Sequence, residues 1–218
     1  WDFWVYPAKL PVVKTDVYYT TELDDKARQL LNDGGKVFLN GAGKVIKGKE
    51  IIQNFTPVFW NTSWFKMRPP HTLGFVCDPK HPMFADFPTA AYSQMEWWDI
   101  LKNAQVMHLE DFPMSFRPIV QPIDTWFLNR RIAFIFEAKA GKGSIIVSSA
   151  DLSPEAGVDR PAARQLYYSI INYMNSPRFK PATDIPVNTI DDLFKSPSKE
   201  VFISYTNGVP SELRRGRN

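Results

Sequence analysis

The chain has 218 residues, of which 44% are hydrophobic and 22% are charged, the composition of a soluble globular protein with a sizeable core. Its formal net charge of +3 is too small to indicate nucleic acid as a partner. No apolar run approaches the ~20 residues of a membrane span, and the single cysteine, Cys77, excludes an intramolecular disulfide. We therefore expect neither a membrane span nor a nucleic-acid interface.

The N-terminal residues are strongly β-prone and contain no initiating methionine. We expect the chain to be a piece of a longer protein, in which residues 1–13 are the end of a preceding β-domain and its linker. Residues 14–180 are then predicted to form the main α/β domain. Residues 181–218 are predicted to be a C-terminal extension.

A β-α-β unit is predicted at the start of the main domain. Residues 16–20 (DVYYT) are typical of a buried strand, and residues 36–40 (KVFLN) of a second one. Between them, a helix is predicted to start near Asp24 and to stop at Gly34-Gly35, because a glycine after the last helical residue is a common C-terminal signal. A strand-helix-strand unit of this length predicts a parallel pair.

The middle of the chain has a weaker pattern. Residues 50–55 are predicted to form a short helix, and residues 73–77 (LGFVC) a strand. Residues 94–104 are predicted to form a second helix that carries Trp97, and residues 105–109 another short strand. The rest of residues 41–68 is treated as an insertion.

The most clearly patterned part of the chain begins with three apolar runs, at residues 119–123, 132–138 and 144–149. Runs of this length that are rich in Ile, Val and Phe predict strands buried on both faces of a sheet. Gly141-Lys142-Gly143 separates the last two, which predicts a hairpin. We expect six strands to share one sheet, beginning near Asp16, Lys36, Leu73, Ile119, Ile132 and Ser144.

A long amphipathic helix is predicted after these strands. Asp159 is the predicted N-cap and Pro161 lies in the first turn, while Leu166 and Ile170 repeat at helical spacing on the apolar face. This face is predicted to pack on the sheet, and Asn175-Ser176-Pro177 to end the helix. Further along, residues 186–194 predict a short helix and residues 201–205 a last strand. Together these elements predict an α/β fold with a mainly parallel sheet and one antiparallel hairpin.

Searches for catalytic motifs find only incomplete ones. Gly41-Ala42-Gly43-Lys44 follows a strand but lacks the remaining residues of a phosphate-binding loop, so a loop without a ligand is favoured. Cys77 ends a strand, but Pro79 follows where a nucleophile elbow requires a backbone N–H, and we interpret it as an inert thiol. The three histidines are widely separated, and no acid/base pair is specified by a motif. We therefore predict no catalytic residues, no metal site and no cofactor.

Several segments carry a resemblance to a known family, among them residues 59–65 (FWNTSWF), 77–82 (CDPKHP), 118–121 (PIVQ) and 159–166 (DRPAARQL). The chain resembles the C-terminal region of bacterial glycoside hydrolases of family 2, the β-galactosidase and β-glucuronidase group. Family 2 catalysis uses two carboxylates at the mouth of a (β/α)₈ barrel. Such a barrel requires about 250 residues, so no residue of this chain inherits a catalytic role from the resemblance.

Residues 136–174 also resemble the end of the class I glutamine-amidotransferase-like fold. The resemblance implies a flavodoxin-like three-layer sandwich. The amidotransferase pattern requires a cysteine between glycines and a late histidine, whereas here Cys77 lacks the glycines and Ser149-Ala150-Asp151 stands in place of the histidine. The fold carries over in this resemblance, and the amidotransferase chemistry does not.

The resemblance leads us to expect a non-catalytic accessory domain of a periplasmic or extracellular bacterial glycoside hydrolase that acts on β-linked glycans. Its expected partners are the other domains of that protein, and an oligosaccharide is a further candidate. A free-standing amidotransferase-like enzyme and a dedicated carbohydrate-binding module are the alternatives. A ligand site is expected at the carboxyl ends of the parallel strands, where the loops after Leu39, Cys77 and Ile123 would converge. The candidate carbohydrate contacts are a carboxylate and three aromatic planes: Asp124, Trp126, Trp60 and Trp64. The favoured alternative is that these tryptophans pack against the core or against the other domains of the parent protein.

Overall fold

The computed structural model describes residues 2–55, 72–125, 128–154 and 159–199. Their strands are β1 (Tyr18–Thr20), β2 (Lys36–Asn40), β3 (Phe75–Cys77), β4 (Met107–His108), β5 (Val120–Pro122), β6 (Ile132–Ala133), β7 (Ile135–Ala140) and β8 (Gly143–Ser148). Their α-helices are α1 (Asp25–Asp33), α2 (Trp98–Leu101), α3 (Pro161–Asn175) and α4 (Val187–Asp192). Short 3₁₀ turns cover Pro82–Phe84 and Met95–Trp97.

Six strands form the main sheet, in the order β1-β2-β8-β7-β5-β3. The pairs β1-β2 and β2-β8 are parallel, and the pairs β8-β7, β7-β5 and β5-β3 are antiparallel. The predicted α/β class is confirmed, and all six predicted strand regions contribute to this sheet. The sheet is mixed: β1, β2, β8 and β5 point one way, whereas β7 and β3 point the other.

Capping groups fix both ends of α1 as the sequence predicts. The Asp24 carboxylate accepts a hydrogen bond from the backbone N–H of Ala27 at 2.7 Å, which satisfies one of the free donors of the first turn. Gly34 ends the helix in the left-handed conformation, with φ of 92°, and its N–H donates to the carbonyl of Leu30. The chain thereby reverses within two residues and enters β2.

The hairpin of β7 and β8 is also confirmed. Ala140 pairs with Gly143 across a two-residue loop, and Gly141 has φ of 62° at the first loop position. A Cβ atom on Gly143 would lie 2.4 Å from the carbonyl oxygen of Gly35. Gly143 therefore allows the hairpin to approach the turn between α1 and β2 closely.

The apolar run at residues 132–138 is split between two sheets. Its first residues form β6, which pairs with β4 in a two-stranded antiparallel sheet, and its later residues belong to β7 in the main sheet. At Phe134 the backbone N–H donates instead to the carbonyl of Val120 at 3.0 Å. Because β6 pairs with β4, the predicted strand at residues 105–109 lies outside the main sheet.

Buried side chains fill both faces of the main sheet. Phe38 and Ile146 point to the face that α3 covers, where Leu166 and Ile170 are fully buried. Their neighbours in sequence point to the opposite face, which α1 and α4 cover: Val37, Leu39, Ile145 and Val147. This alternation is what a sheet buried on both sides produces.

Three local predictions are wrong. The N-cap of α3 is Arg160 rather than Asp159, because Pro161 occupies the first helical position and places the cap directly before it. Residues 50–55 form no helix, since this stretch pairs instead with residues 72–74: Thr72 donates to the carbonyl of Ile52, and Gly74 to that of Asn54. The helix expected over residues 94–104 is limited to one 3₁₀ turn and α2.

Several predictions are not tested by the described residues. The insertion after residue 55 and the strand at residues 201–205 lie largely or wholly outside the described residues. The division at residues 13 and 180 stays a prediction. Both the segment before residue 14 and the segment after residue 180 pack on the main domain. The Tyr6 ring stacks on Phe87 at 6.0 Å, and Ile190 and Leu193 are fully buried.

Candidate functional site

A polar cavity lies at the carboxyl ends of three parallel strands. β1, β2 and β8 end side by side at Thr20, Asn40 and Ser148, and the loops that follow them surround a cavity of about 580 Å³. We name it the edge crevice. Its lining includes Asn40, Lys44, Asn103, Asp151 and Arg160. Open sheets with parallel strands commonly bind ligands at this edge.

The side chain of Asn40 connects the ends of the three strands. It is 3% exposed and hydrogen-bonds to the phenol of Tyr19 at 2.9 Å. With its amide oriented to satisfy both ends, the nitrogen donates to the carbonyl of Ala150 and the oxygen accepts from Tyr19 and from the N–H of Ser153. Asn40 therefore fixes the floor of the edge crevice.

Ion pairs form one wall of the edge crevice. Arg160 donates to the Asp99 carboxylate at 2.7 Å and to the Asp151 carboxylate at 2.8 Å, and Lys102 lies 2.9 Å from Asp99. Burial alone would raise the pKa of Asp99, but the two cations outweigh it and hold that pKa below its ordinary value. Arg160 thus joins the start of α3 to α2 and to the loop after β8.

Lys44 also lines the edge crevice, and its ammonium group donates to the Thr21 hydroxyl at 2.9 Å. Gly41 and Gly43 lie in the same loop as Lys44. A Cβ atom at Gly41 would lie 2.2 Å from the Phe194 ring, so this glycine is required by packing. With Lys102 and Arg160 set against Asp99 and Asp151, Lys44 gives the lining a small positive excess.

Asp124 lies in a different cavity, of about 440 Å³, which also contains Arg117, Arg130 and Arg131. Asp124 is 8% exposed. Its carboxylate accepts from the backbone N–H of Arg130 at 2.7 Å and from two guanidinium nitrogens of Arg130 at 2.9 Å each. Asp124 therefore anchors its own loop, and most of its acceptor capacity is used within the protein. The other candidate contacts, Trp126, Trp60 and Trp64, lie outside the described residues.

The expected convergence of three loops is wrong in one respect. β5 runs in the same direction as β8, so the loop after Ile123 leaves the same edge of the sheet as the loop after Leu39. β3 runs antiparallel to β5, which places Cys77 at the opposite edge. Sequence periodicity predicts strands but carries no information on strand direction, and this is why the loop after Cys77 was misplaced.

The local environment of Cys77 is that of an unreactive thiol. The thiol donates to the carbonyl of Ala90 at 3.2 Å. Burial, together with the nearby carboxylates of Asp78 and Glu96, raises the pKa of Cys77 to about 12. The thiol thus stays protonated at neutral pH, whereas nucleophilic cysteines have lowered pKa values.

A second possible catalytic group is formed by Ser198, His108 and Glu110. The Ser198 hydroxyl lies 3.1 Å from Nδ1 of His108, and a Glu110 carboxylate oxygen lies 3.8 Å from the same nitrogen. A serine relay needs the serine and the carboxylate on different ring nitrogens. Ser198 is also only 5% exposed. The trio therefore joins the C-terminal part of the described chain to β4 and does not form a nucleophile.

Within the part of the chain that the structure describes, no group of three or more His, Cys, Asp or Glu side chains is arranged to hold a metal ion. Likewise, none of the described helices has the length and apolar character to cross a bilayer.

The edge crevice lies at the same edge of the sheet as the site expected from the sequence, but it is lined by other residues. Asn40 is the last residue of a predicted strand, and Asp151 follows another. Their positions at strand ends were the sequence signal that could have identified them as lining residues. Arg160 gave no such signal, because its contribution depends on how α3 packs beside α2.

Comparison with known proteins identifies a family that matches this chain. The family DUF8487, described as a domain of unknown function, matches residues 18–195, from β1 to just beyond α4. No curated protein matches the chain. Because the match covers most of the chain and every described strand and helix, the protein belongs to the DUF8487 family.

Proposed function

We propose that this chain is a non-catalytic accessory domain of a multidomain bacterial glycoside hydrolase, periplasmic or extracellular, that acts on β-linked glycans. In this proposal the domain contacts carbohydrate at the edge crevice and packs beside the other domains of its parent protein. The parent's identity rests on the family 2 resemblance. The architecture we propose is a flavodoxin-like, amidotransferase-like three-layer sandwich, and helices on both faces of the sheet support it.

The observation that carries the proposal is the lining of the edge crevice. Amide, hydroxyl and ion-paired side chains converge at one edge of the sheet, in a cavity of about 580 Å³. Such a set of donors and acceptors suits a polyhydroxylated ligand, which offers both donors and acceptors in return. Small-molecule sites commonly have volumes of about 300–1,000 Å³, so one or two sugar rings would fit.

The state of Cys77 counts against the amidotransferase alternative. An amidotransferase-like enzyme needs an activated thiolate, and the raised pKa of Cys77 keeps this thiol protonated. The carbohydrate-binding module remains compatible with the same crevice. The accessory-domain hypothesis and the binding-module hypothesis differ in whether the domain needs the rest of its parent protein in order to function.

Calorimetric titration of the whole chain with galactose, glucuronate and β-linked oligosaccharides tests the proposed site. We expect saturable binding of at least one sugar and a loss of affinity in Lys44→Ala and Asn103→Ala, both of which change exposed lining residues. Asn188→Ala, on the exposed side of α4, is the matched control and should bind as the unchanged protein does. Absence of binding at millimolar sugar, or equal affinity in all variants, would refute the crevice as a carbohydrate site.

Catalysis is tested separately with aryl β-galactosides and aryl β-glucuronides. We expect no turnover by the isolated chain, because its length excludes the barrel on which family 2 catalysis depends. Turnover that survives repurification and is abolished by one Asp or Glu substitution would show that the domain is an enzyme.

A further inference from the structure

A third cavity lies where the N-terminal segment meets the start of α3. It has a volume of about 380 Å³, and its lining comes from the N-terminal segment (Asp2, Phe3, Trp4 and Tyr6), from Met95, Glu96 and Asp99, and from the start of α3. We name it the N-terminal pocket. It adjoins the edge crevice at Asp99, but its other lining residues are its own.

Glu96 is the unusual residue of this pocket. It is 4% exposed, and one carboxylate oxygen accepts from the Thr89 hydroxyl at 3.0 Å, while the other, Oε2, has no hydrogen-bond partner. Thr89 also accepts from the indole N–H of Trp97 at 2.7 Å, which fixes its orientation. An unpaired carboxylate oxygen at this depth is costly, and buried polar atoms without partners are uncommon in native proteins.

A second unpaired polar atom belongs to Tyr6, which also lines this pocket. The phenol oxygen of Tyr6 is buried and has no hydrogen-bond partner, although the Tyr6 ring stacks on Phe87 at 6.0 Å. Burial and the nearby Glu96 carboxylate raise the pKa of Tyr6 to about 12. At neutral pH this phenol is therefore a neutral hydroxyl that can accept a hydrogen bond from a ligand.

The charge around the pocket has one sign. Asp2, Glu96, Asp99 and Asp159 all line it, and its described lining includes no lysine or arginine. Asp99 is compensated from outside by Arg160 and Lys102. Asp2, Asp159 and Glu96 have no ion pair within the described residues, so the pocket keeps a negative potential.

The rest of the lining is apolar or aromatic. Phe3, Trp4, Tyr6 and Met95 border the pocket, and Phe3 and Met95 are 85% and 64% exposed. Exposed aromatic faces next to carboxylates favour a cation with an apolar surface, because the ring faces carry partial negative charge.

We propose that the N-terminal pocket binds a small ligand through a primary ammonium group. The ammonium group supplies the positive charge that the acidic lining lacks and the N–H donors that Glu96 and Tyr6 can accept. The ligand's body packs against Trp4 and Met95. This inference does not depend on the proposed function, since the crevice and the pocket have different linings apart from Asp99.

Two kinds of amine could supply this chemistry, an amino sugar or an amine with an aromatic or aliphatic body. Glucosamine and 2-phenylethylamine represent the two sources. N-acetylglucosamine keeps the sugar body but has no charge, and choline keeps the charge but has no N–H donor on its nitrogen. These four probes separate charge, donor groups and ligand body from one another.

Calorimetric titration of the whole chain in phosphate buffer, which contains no competing amine, tests the proposal. We expect saturable binding of one or both amines, with N-acetylglucosamine and choline at least about tenfold weaker, as the loss of a charge-assisted hydrogen bond requires. Glu96→Gln should weaken amine binding by at least about tenfold. Glu22→Gln, the same chemical change at an exposed site next to α1, should leave it unchanged.

Tyr6→Phe is the second variant, because it removes only the phenol oxygen and keeps the ring that stacks on Phe87. It should weaken amine binding by roughly threefold or more, even if Glu96→Gln proves unstable. Circular dichroism and thermal melting establish that each variant is folded. The proposal is overturned if neither amine binds the folded protein at about 10 mM, if choline binds as well as the amines, or if both pocket variants keep full affinity.

Discussion

Lys47 and Glu96 are two of the most deeply buried charged residues that the structure describes, at 2% and 4% exposure. The Lys47 ammonium group lies 2.7 Å from the Asp111 carboxylate, 2.8 Å from that of Asp192 and 3.4 Å from that of Glu110. Glu96 has one hydroxyl donor, and its second oxygen has no partner. Two charges of similar burial are therefore compensated very differently.

The difference indicates what each charge does in the molecule. Lys47 joins the loop after β2 to the loop after β4 and to the end of α4, and the backbone N–H of Lys47 also donates to Leu193. Burial would lower the pKa of Lys47, but its hydrogen bonds with Asp111 and Asp192 outweigh burial and raise it. For Glu96, burial is the largest influence and raises the pKa, since little within the protein offsets it. Lys47 therefore stabilises the fold, whereas the unpaired oxygen of Glu96 matches the ammonium ligand that we propose for the N-terminal pocket.

Leu166→Ala removes a fully buried apolar side chain from α3. Its effect on the free energy of unfolding is the reference against which the Lys47 and Glu96 substitutions are compared. We expect Leu166→Ala to lower the free energy of unfolding by about 2–5 kcal/mol, the usual effect of a large-to-small change in a core. Urea denaturation of the two proteins measures the difference. A loss below about 1 kcal/mol would contradict the packing of α3 on the sheet.

Lys47→Met should lower the free energy of unfolding by about 3 kcal/mol, because it leaves the carboxylates of Asp111 and Asp192 without their buried cation. The value is at the lower end of the usual range since both carboxylates keep access to water, with side chains 29% and 42% exposed. Lys36→Met, which removes a largely surface ion pair to Asp16, is the control and should cost less than about 1 kcal/mol. Equal effects of the two changes would show that Lys47 has no special structural role.

The carboxylates that pair with Lys47 and the carboxyl group of Glu96 should make contributions to stability that change with pH in opposite directions. The pKa values of Asp111 and Asp192 are lowered by hydrogen bonds, from Lys199 and Lys47 for the first and from Lys47 and Ser196 for the second. Their contribution is therefore present above the ordinary value of 3.8 and is lost as pH falls through the lower pKa of the folded state. The pKa of Glu96 is raised, so its contribution is present below its ordinary value of 4.5 and is lost as pH rises through the folded pKa.

Urea denaturation across this pH range separates the two contributions. Lys47→Met should show a weaker loss of stability on acidification than the unchanged protein. Glu96→Gln should show a weaker loss as pH rises above 4.5, the ordinary pKa of the glutamate. Parallel pH profiles in all three proteins would contradict the assignment of these titrations.

Glu96→Gln should have the smallest effect at neutral pH. We expect it to raise the free energy of unfolding by less than about 1 kcal/mol. The substitution removes a buried charge that the protein does not pair, while the amide keeps the shape of the side chain. Thermal melting without ligand measures the change. A destabilisation as large as that of Lys47→Met would mean that Glu96 is a structural charge after all.

Much of the fold could be predicted because its signals are local. The cap at Asp24, the glycine stop at Gly34, the Gly141 turn and the apolar stripe of α3 are each encoded within a few residues, and the structure confirms them. The six strand regions were recognised for the same reason. The predictions that failed, at residues 50–55 and at Asp159, lie where a tertiary hydrogen bond or a neighbouring proline decides the local conformation.

The sites were less predictable, because they consist of residues that are far apart in sequence. Arg160 contacts Asp99 across 61 positions, and Lys47 contacts Asp192 across 145. Asp124 was recognised as a carboxylate after a strand, but its partner Arg130 was not, and this ion pair changes Asp124 from a candidate ligand contact into a loop anchor.

The sequence by itself determined the α/β class, the positions of the strands and main helices, and which residues of α3 are buried. These follow from periodicity, turn residues and capping groups, all of which act over a few positions. Only the tertiary structure decided the direction of β3, the division of residues 132–140 between two sheets, and the contrast between a paired Lys47 and an unpaired Glu96. Strand direction and charge compensation depend on which distant segments meet, and periodicity along the chain carries no information on that choice.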